Sequence, residues 1–275
     1  MSAPLNVVIT GASSGLGEAL AHTYAGRGAR VALFARRRER LEEVAAVCRA
    51  RGASDVRVVV GDTTDAARVT AVVTELAAAW GRIDRAFLNA GGSGDQFKSK
   101  REEHFLQCCA GDDLTAANFA AASAEWIVRV NYLGVVYWME PLLRLMRGQR
   151  SGTIAVTGSL AADGNLPRSG PYTASKMALR ALLDGLRHDA RKLGVRLSLI
   201  ECGWFISELT DVKANAPFVM TAEQAARRAI RGVEAGKRVI RFPFRMSFLS
   251  RLGTFVPRPW RDWFWDRLLP PLGSG

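Results

Sequence analysis

Short β-branched runs alternate with Ala- and Arg-rich stretches of helical period along most of this 275-residue chain, and no other feature limits its fold so tightly. The apolar runs predict strands over 5–10, 29–34, 56–60, 83–88, 152–157 and 195–200, with another around 238–241. Helical patterns run near 15–27, 38–51, 65–80, 115–148, 172–193 and 221–235. Strands and helices alternating at this pitch build βαβ units, hence an α/β fold: a doubly wound parallel sheet with helices on both faces. Right-handed crossovers then leave the carboxyl ends of the strands as the ligand edge. At 48% hydrophobic content the chain can fill one large core. No internal repeat or low-complexity linker divides it. The expected organisation is a single domain over 1–235, with a polar, Gly-flanked insertion near 92–114, followed by a basic, aromatic C-terminal extension over 236–275.

Several function classes drop out. Cys48, Cys108, Cys109 and Cys202 form no CxxC pair, and His22, His104 and His188 are scattered, so no metal site is expected. Free thiols fit a reducing cytoplasm. Met1–Asn6 leads straight into Val7-Val8-Ile9 without a basic region and apolar core, so no export signal is read there. The longest apolar run, Tyr132 to Met146, is broken by Glu140, Pro141 and Arg144, so no membrane-spanning helix is expected. A cytoplasmic protein follows, with peripheral contact at a membrane as an open alternative.

Thr10-Gly11-Ala12-Ser13-Ser14-Gly15-Leu16-Gly17 follows the first strand and opens the first helix. Glycines permit a tight turn and close backbone approach, and a helix N-terminus offers N–H groups to a pyrophosphate. The spacing is G-x-x-x-G-x-G rather than the G-x-G-x-x-G of many dinucleotide sites. The second strand ends Ala35-Arg36-Arg37-Arg38, where a site for NAD usually carries an acid for the ribose 2′-hydroxyl. A guanidinium suits a 2′-phosphate, and three cations at a helix start oppose the helix dipole unless an anion sits there. NADP(H) is therefore the expected cofactor, with Arg36 the first candidate and Arg37 the second.

Tyr172 and Lys176 stand four residues apart in Pro171-Tyr172-Thr173-Ala174-Ser175-Lys176, one turn apart on one helix face. An ammonium beside a phenol favours phenolate and draws the Tyr pKa down from its usual value of about 10. A phenol that titrates nearer neutrality can donate a proton to an alkoxide or accept one from an alcohol.

Taken in order, the glycine turn, Asn89-Ala90-Gly91, Ser159 and Tyr172-x-x-x-Lys176 make the chain resemble the short-chain dehydrogenase/reductase family, over about residues 5 to 235. The resemblance implies a Rossmann-like sheet and carries roles onto matching positions. Gly11, Ser13, Ser14, Gly15, Leu16 and Gly17 would form the phosphate loop. Asp62, with Thr63 beside it, would meet the adenine, and Asn89, Ala90 and Gly91 would line the cofactor. Asn131 would hold a relay water through its backbone carbonyl. Ser159 would hydrogen-bond the substrate oxygen, Tyr172 would be the acid/base, and Lys176 would hold the nicotinamide ribose. After the sixth strand the family's Pro-Gly is replaced by Cys202-Gly203, followed by Trp204, Phe205, Ile206 and Ser207. Gly203, Phe205 and Ser207 are the cofactor candidates there, and Cys202 reads as a small apolar filler. Family members commonly pair through the helices that carry Asn131 and Tyr172, which implies a homodimer or homotetramer.

The expected activity is NADP(H)-dependent interconversion of a small-molecule carbonyl and a secondary alcohol. The alternatives are a catalytically silent NADP(H)-binding regulator or scaffold, and a reductase of a C=N or activated C=C bond. Phe97, Leu166, Trp204, Phe205, Phe218 and Met220, with Asp163, Asn165 and Arg168, are the pocket candidates, and their large apolar groups suggest a hydrophobic substrate. The net charge is +12, and residues 237–267 supply half of it through eight Lys and Arg against Asp262 and Asp266. That tail also carries Phe242, Phe244, Phe248, Leu249, Phe255, Trp260, Trp263, Phe264 and Trp265. It reads as a membrane-interface segment or as a lid or subunit contact. Its aromatic density disfavours nucleic acid, and its prolines disfavour one long helix.

Overall fold

The computed structural model describes residues 3–92, 121–163, 169–203 and 219–268. Seven strands build one sheet: β1 (Asn6–Thr10), β2 (Arg30–Ala35), β3 (Asp55–Val60), β4 (Arg85–Leu88), β5 (Gly152–Thr157), β6 (Val195–Cys202) and β7 (Val239–Phe242). Their order is β3-β2-β1-β4-β5-β6-β7, and every neighbouring pair is parallel. The doubly wound parallel sheet expected from the sequence is present. From β1 the chain builds outward through β2 and β3, then returns to β4 on the other side. The crevice at the carboxyl ends of β1 and β4 is thus the switch point at which such sheets bind ligands.

The helices are α1 (Gly15–Ala25), α2 (Arg38–Ala50), α3 (Ala66–Trp80), α4 (Ala121–Val128), α5 (Gly134–Gln149), α6 (Gly170–Lys192), α7 (Ala222–Glu234), α8 (Phe244–Thr254) and α9 (Arg258–Leu268). A π-helical turn, Arg129–Leu133, joins α4 to α5, and a 3₁₀ turn, Leu160–Asp163, follows β5. The helical pattern read over 115–148 is therefore helix, π turn and helix from Ala121 onward. Local chemistry sets several ends. The Asp65 carboxylate caps α3 by accepting from the Arg68 N–H, and Gly81 closes it in the left-handed region at φ 77°. Thr221 and Gln224 form a capping box on α7.

Both sheet faces are covered, which is why the strands read as continuous apolar runs. On one face Val7, Ile9, Val31 and Leu33 pack with Leu20, Val44 and Ile230 of α1, α2 and α7. On the other, Val8, Ala32 and Phe34 meet Val69, Trp138, Leu142 and Leu183 of α3, α5 and α6. The Phe34 and Trp138 rings meet edge-on at 4.9 Å.

The extension joins this body through β7, whose Phe242 pairs with Cys202 of β6. Phe242 is buried in the core. That corrects its place among the tail's interfacial aromatics, because an edge strand completing the sheet buries its inward side chain. Two helices follow, separated at Pro257. Among the described residues no helix is long and apolar enough to cross a membrane.

Candidate active site

The glycine turn lies where β1 meets α1, at the switch point. Gly11 and Gly15 take φ of 64° and 58°, the left-handed conformation that side chains disfavour. At Gly17 the reason for glycine is proximity: a Cβ would stand 2.2 Å from the Gly11 carbonyl oxygen and 2.9 Å from Asn89 Nδ2. Ser14 occupies the N-cap of α1 but makes no side-chain cap bond there. First-turn N–H groups at such a terminus suit an anion. Ser13 is buried. The Leu16 side chain is buried in the core, so this residue has only its backbone to offer a ligand.

Arg37 reaches back to the turn: its Nη2 donates to the Ser13 hydroxyl at 3.2 Å and to the Ser13 carbonyl at 3.4 Å. Arg36, one residue past β2, is exposed. Asp62 Oδ1 accepts from both the N–H and the hydroxyl of Thr64, each at 2.8 Å, which fixes the turn after β3. Thr63 is buried beside Gly134.

Thr10, unmarked by the sequence reading, organises the next loop. Its hydroxyl accepts from the N–H groups of Asn89 and Ala90 at 2.9 and 3.0 Å. Asn89 Oδ1 in turn accepts from the Thr157 hydroxyl at 3.1 Å, locking the ends of β1, β4 and β5 together. Asn131 is fully buried in the π turn. Its amide donates to the Gly92 carbonyl at 3.0 Å and to the Ser175 hydroxyl at 3.1 Å, while its Oδ1 accepts from the Gly92 N–H at 2.9 Å. Ser175, also unmarked, donates to the Tyr172 carbonyl at 2.7 Å. A hydrogen-bonded chain therefore runs from Gly92 through Asn131 and Ser175 to the backbone of Tyr172.

Tyr172 and Lys176 share the first turns of α6, with the ammonium 5.7 Å from the Tyr172 ring centroid. Lys176 Nζ is buried and donates to the Thr157 carbonyl at 2.9 Å. Burial lowers its pKa from 10.5 to about 8, with the Cys202 thiol pulling weakly the other way. Ser159 lies two residues beyond β5, and its hydroxyl accepts from the Ala161 N–H at 3.1 Å. Cys202 is buried, its thiol pushed up to about 11 chiefly by burial, so it is a poor nucleophile.

The structure thus joins Asn89, Thr157 and Lys176 in one hydrogen-bonded set and Asn131 and Ser175 in another, with Tyr172 on the helix that carries Ser175 and Lys176. Gly203 donates from its N–H to the Phe242 carbonyl at 2.8 Å. Phe205 and Ser207 lie outside the described residues, as do the insertion near 92–114, apart from Gly92, and the pocket candidates Phe97, Asn165, Leu166, Arg168, Trp204 and Phe218. Two pocket candidates are corrected. Met220 is buried in the core. Asp163 is enclosed in an ion cluster with Arg180 and Arg241, which also bind Glu201. A carboxylate held by two guanidiniums is committed to structure.

A family model described as short chain dehydrogenase matches residues 5–217. The chain is 30% identical over 257 residues to an uncharacterized oxidoreductase of Staphylococcus saprophyticus, covering 92% of this chain and 95% of that one. It is 31% identical over 267 residues to a hydroxysteroid 11-beta-dehydrogenase 1-like protein of Xenopus tropicalis, covering 95% and 86%. Among solved structures, an alcohol dehydrogenase from Thermococcus sibiricus complexed with 5-hydroxy-NADP is 25% identical with a TM-score of 0.71, covering 87% of this chain and 95% of that one. A short chain dehydrogenase/reductase from Burkholderia phymatum in complex with NAD shares the fold at 23% identity and a TM-score of 0.73, covering 98% of each.

Proposed function

The chain belongs to the short-chain dehydrogenase family, and within it we propose an NADP(H)-dependent oxidoreductase that interconverts a carbonyl and a secondary alcohol. One observation carries the reading: the buried Lys176 ammonium, held by the Thr157 carbonyl, stands on the same helix face as Tyr172. A buried ammonium costs desolvation and is retained where its charge is used.

The residues at the switch point fit a dinucleotide. Ser14 leaves the α1 terminus without a side-chain cap, and the turn takes conformations that favour glycine. The backbone of Ser13 to Gly17 would hold the pyrophosphate, Asp62 and Thr63 the adenine end, and Asn89 to Gly91 the middle of the cofactor. Arg36 would meet a 2′-phosphate, with Arg37 bracing the turn through Ser13. Bound NADPH supplies the hydride. In reduction, Ser159 hydrogen-bonds the carbonyl oxygen and Tyr172 gives that oxygen its phenolic proton. Lys176 favours the phenolate left behind, and Asn131 holds the relay water through which a proton returns.

Relatives named as hydroxysteroid dehydrogenases support a hydrophobic carbonyl substrate. Pairing through the helices carrying Asn131 and Tyr172 makes a homodimer or homotetramer the expected assembly. The test is NADPH oxidation over a panel of lipophilic ketones, with Tyr172→Phe as the comparison. Turnover abolished in the variant, with NADPH binding intact, is the expected result; equal rates in both proteins refute the assignment.

A further inference from the structure

Helix α8 is packed on the protein through polar groups. Its serines face the protein: Ser247 accepts from Arg241 Nε at 2.8 Å, and Ser250 donates to the Leu160 carbonyl at 3.2 Å and to Asp163 Oδ2 at 3.0 Å. Met246 is half-buried beside Gly203, but the other large apolar side chains are exposed. Phe244 is 78% exposed, Phe248 58%, Leu252 53% and Phe255 82%, and no residue of the helix is buried. Phe244, Phe248, Leu252 and Phe255 follow one another at helical spacing, so they form a stripe, and the first two rings stack at 6.4 Å. In α9, Trp260 and Trp263 are exposed as well, one turn apart. A helix recruited by hydrophobic burial turns its apolar face inward, and single exposed apolar residues need no explanation. A run of four on one helix, followed by two exposed tryptophans one turn apart on the next, does.

We propose that this face is a docking surface for an anionic lipid bilayer. The α8 stripe would enter the boundary between headgroups and acyl chains. Trp260 and Trp263 would sit at headgroup level, and Arg245, Arg251 and Arg267 would meet the phosphates. The charge pattern selects lipid over a second copy of the chain. Residues 244–268 carry five arginines against Asp262 and Asp266, so two such faces repel, whereas an anionic leaflet neutralises them. The dimensions make it a surface contact. Each helix has 11 residues, about 16 Å, roughly half the hydrocarbon core. Ser247 and Ser250 anchor α8 to Arg241 and to the turn that follows Ser159.

Co-sedimentation of the full-length protein tests this, with vesicles of phosphatidylcholine alone or with one third phosphatidylserine, at low and high salt. Binding to the anionic vesicles that weakens with salt is expected. A Phe248→Ser/Phe255→Ser variant should lose about tenfold or more in partitioning, and so should Arg251→Gln/Arg267→Gln. The apolar variant separates insertion from the general attraction of a basic protein, and unchanged circular dichroism shows that it folds. Binding blind to lipid charge, or undiminished in the Phe variant, overturns the proposal. So does light scattering in which wild type is a dimer that the Phe variant dissolves while vesicles bind neither. The readout is sedimentation, so a failed oxidoreductase assignment leaves it unaffected.

Discussion

Lys176 donates from a buried ammonium to the Thr157 carbonyl at 2.9 Å, tying α6 to the end of β5. The contact does not repay the loss of water: burial lowers the ammonium to about 8. The folded value lies below the unfolded one of 10.5, so between about pH 8 and 10.5 the unfolded chain keeps a proton that the folded chain has released. Stability of the cofactor-free protein therefore rises with pH through that window. Cys48 and Cys202, raised by burial from 9.0 to about 11, act the opposite way, and their contribution falls away above 9. The clean interval is pH 8 to 9. There wild type should gain about 1 kcal/mol relative to Lys176→Met in urea titrations. Parallel curves for the two proteins would refute the buried charge.

Arg36 and Arg37 should separate in cofactor binding. Both are exposed just beyond β2, but Arg37 also holds Ser13. Losing a charge-assisted contact to a 2′-phosphate costs about 1.5–3 kcal/mol, so Arg36→Ala should weaken NADPH about tenfold or more and leave NADH unchanged. Arg37→Ala should weaken both, because the turn loses its brace. Fluorescence titration reads each constant, and an unaltered NADPH-to-NADH ratio in Arg36→Ala would end the phosphate assignment.

Gly17→Ala should be far worse than Gly26→Ala, although both glycines lie at helical φ near α1. At Gly17 the new Cβ meets the Gly11 carbonyl at 2.2 Å, whereas at Gly26 the nearest atom is 3.6 Å away. Overpacking costs about 1–3 kcal/mol, and here it falls on the turn proposed to hold the pyrophosphate. Thermal melts with and without NADPH should show a lower Tm and a lost ligand-induced rise for Gly17→Ala alone. Equal behaviour of the two variants would mean that the turn tolerates a side chain.

The sheet was legible because parallel strands buried on both faces are short apolar runs, and β5 spans the residues read from the sequence. The linear motifs were legible too, since glycine spacing and Tyr-x-x-x-Lys are local patterns. What stayed hidden joins distant positions. Ser175 meets Asn131 44 residues away, and Thr10 meets Asn89 79 away, so neither shows in a local window. Asp163 looked like a pocket acid because its partner Arg241 is 78 residues off. In the tail, apolar content marked Phe242 and Phe248 alike; only the sheet edge distinguishes the buried one from the exposed one.

The cluster of Asp163, Arg180, Glu201 and Arg241 predicts strong coupling between the sheet edge and α6. Glu201 accepts from Arg180 Nε at 2.7 Å and from Arg241 Nη1 at 2.7 Å, and Arg241 Nη2 also binds Asp163. Both carboxylates are almost wholly buried, at 4% and 1% side-chain exposure. Burial raises the Glu201 carboxyl while Arg180 opposes the rise, so this acid depends on its guanidiniums to stay ionised. Arg241→Met leaves two buried acids on Arg180 alone and should cost about 3–5 kcal/mol. Glu201→Gln in that background removes one unmatched charge, so the double variant should lose much less than the two single losses added together. Urea denaturation of the four proteins gives the coupling energy. Losses that add within about 0.5 kcal/mol would show the groups to be independent.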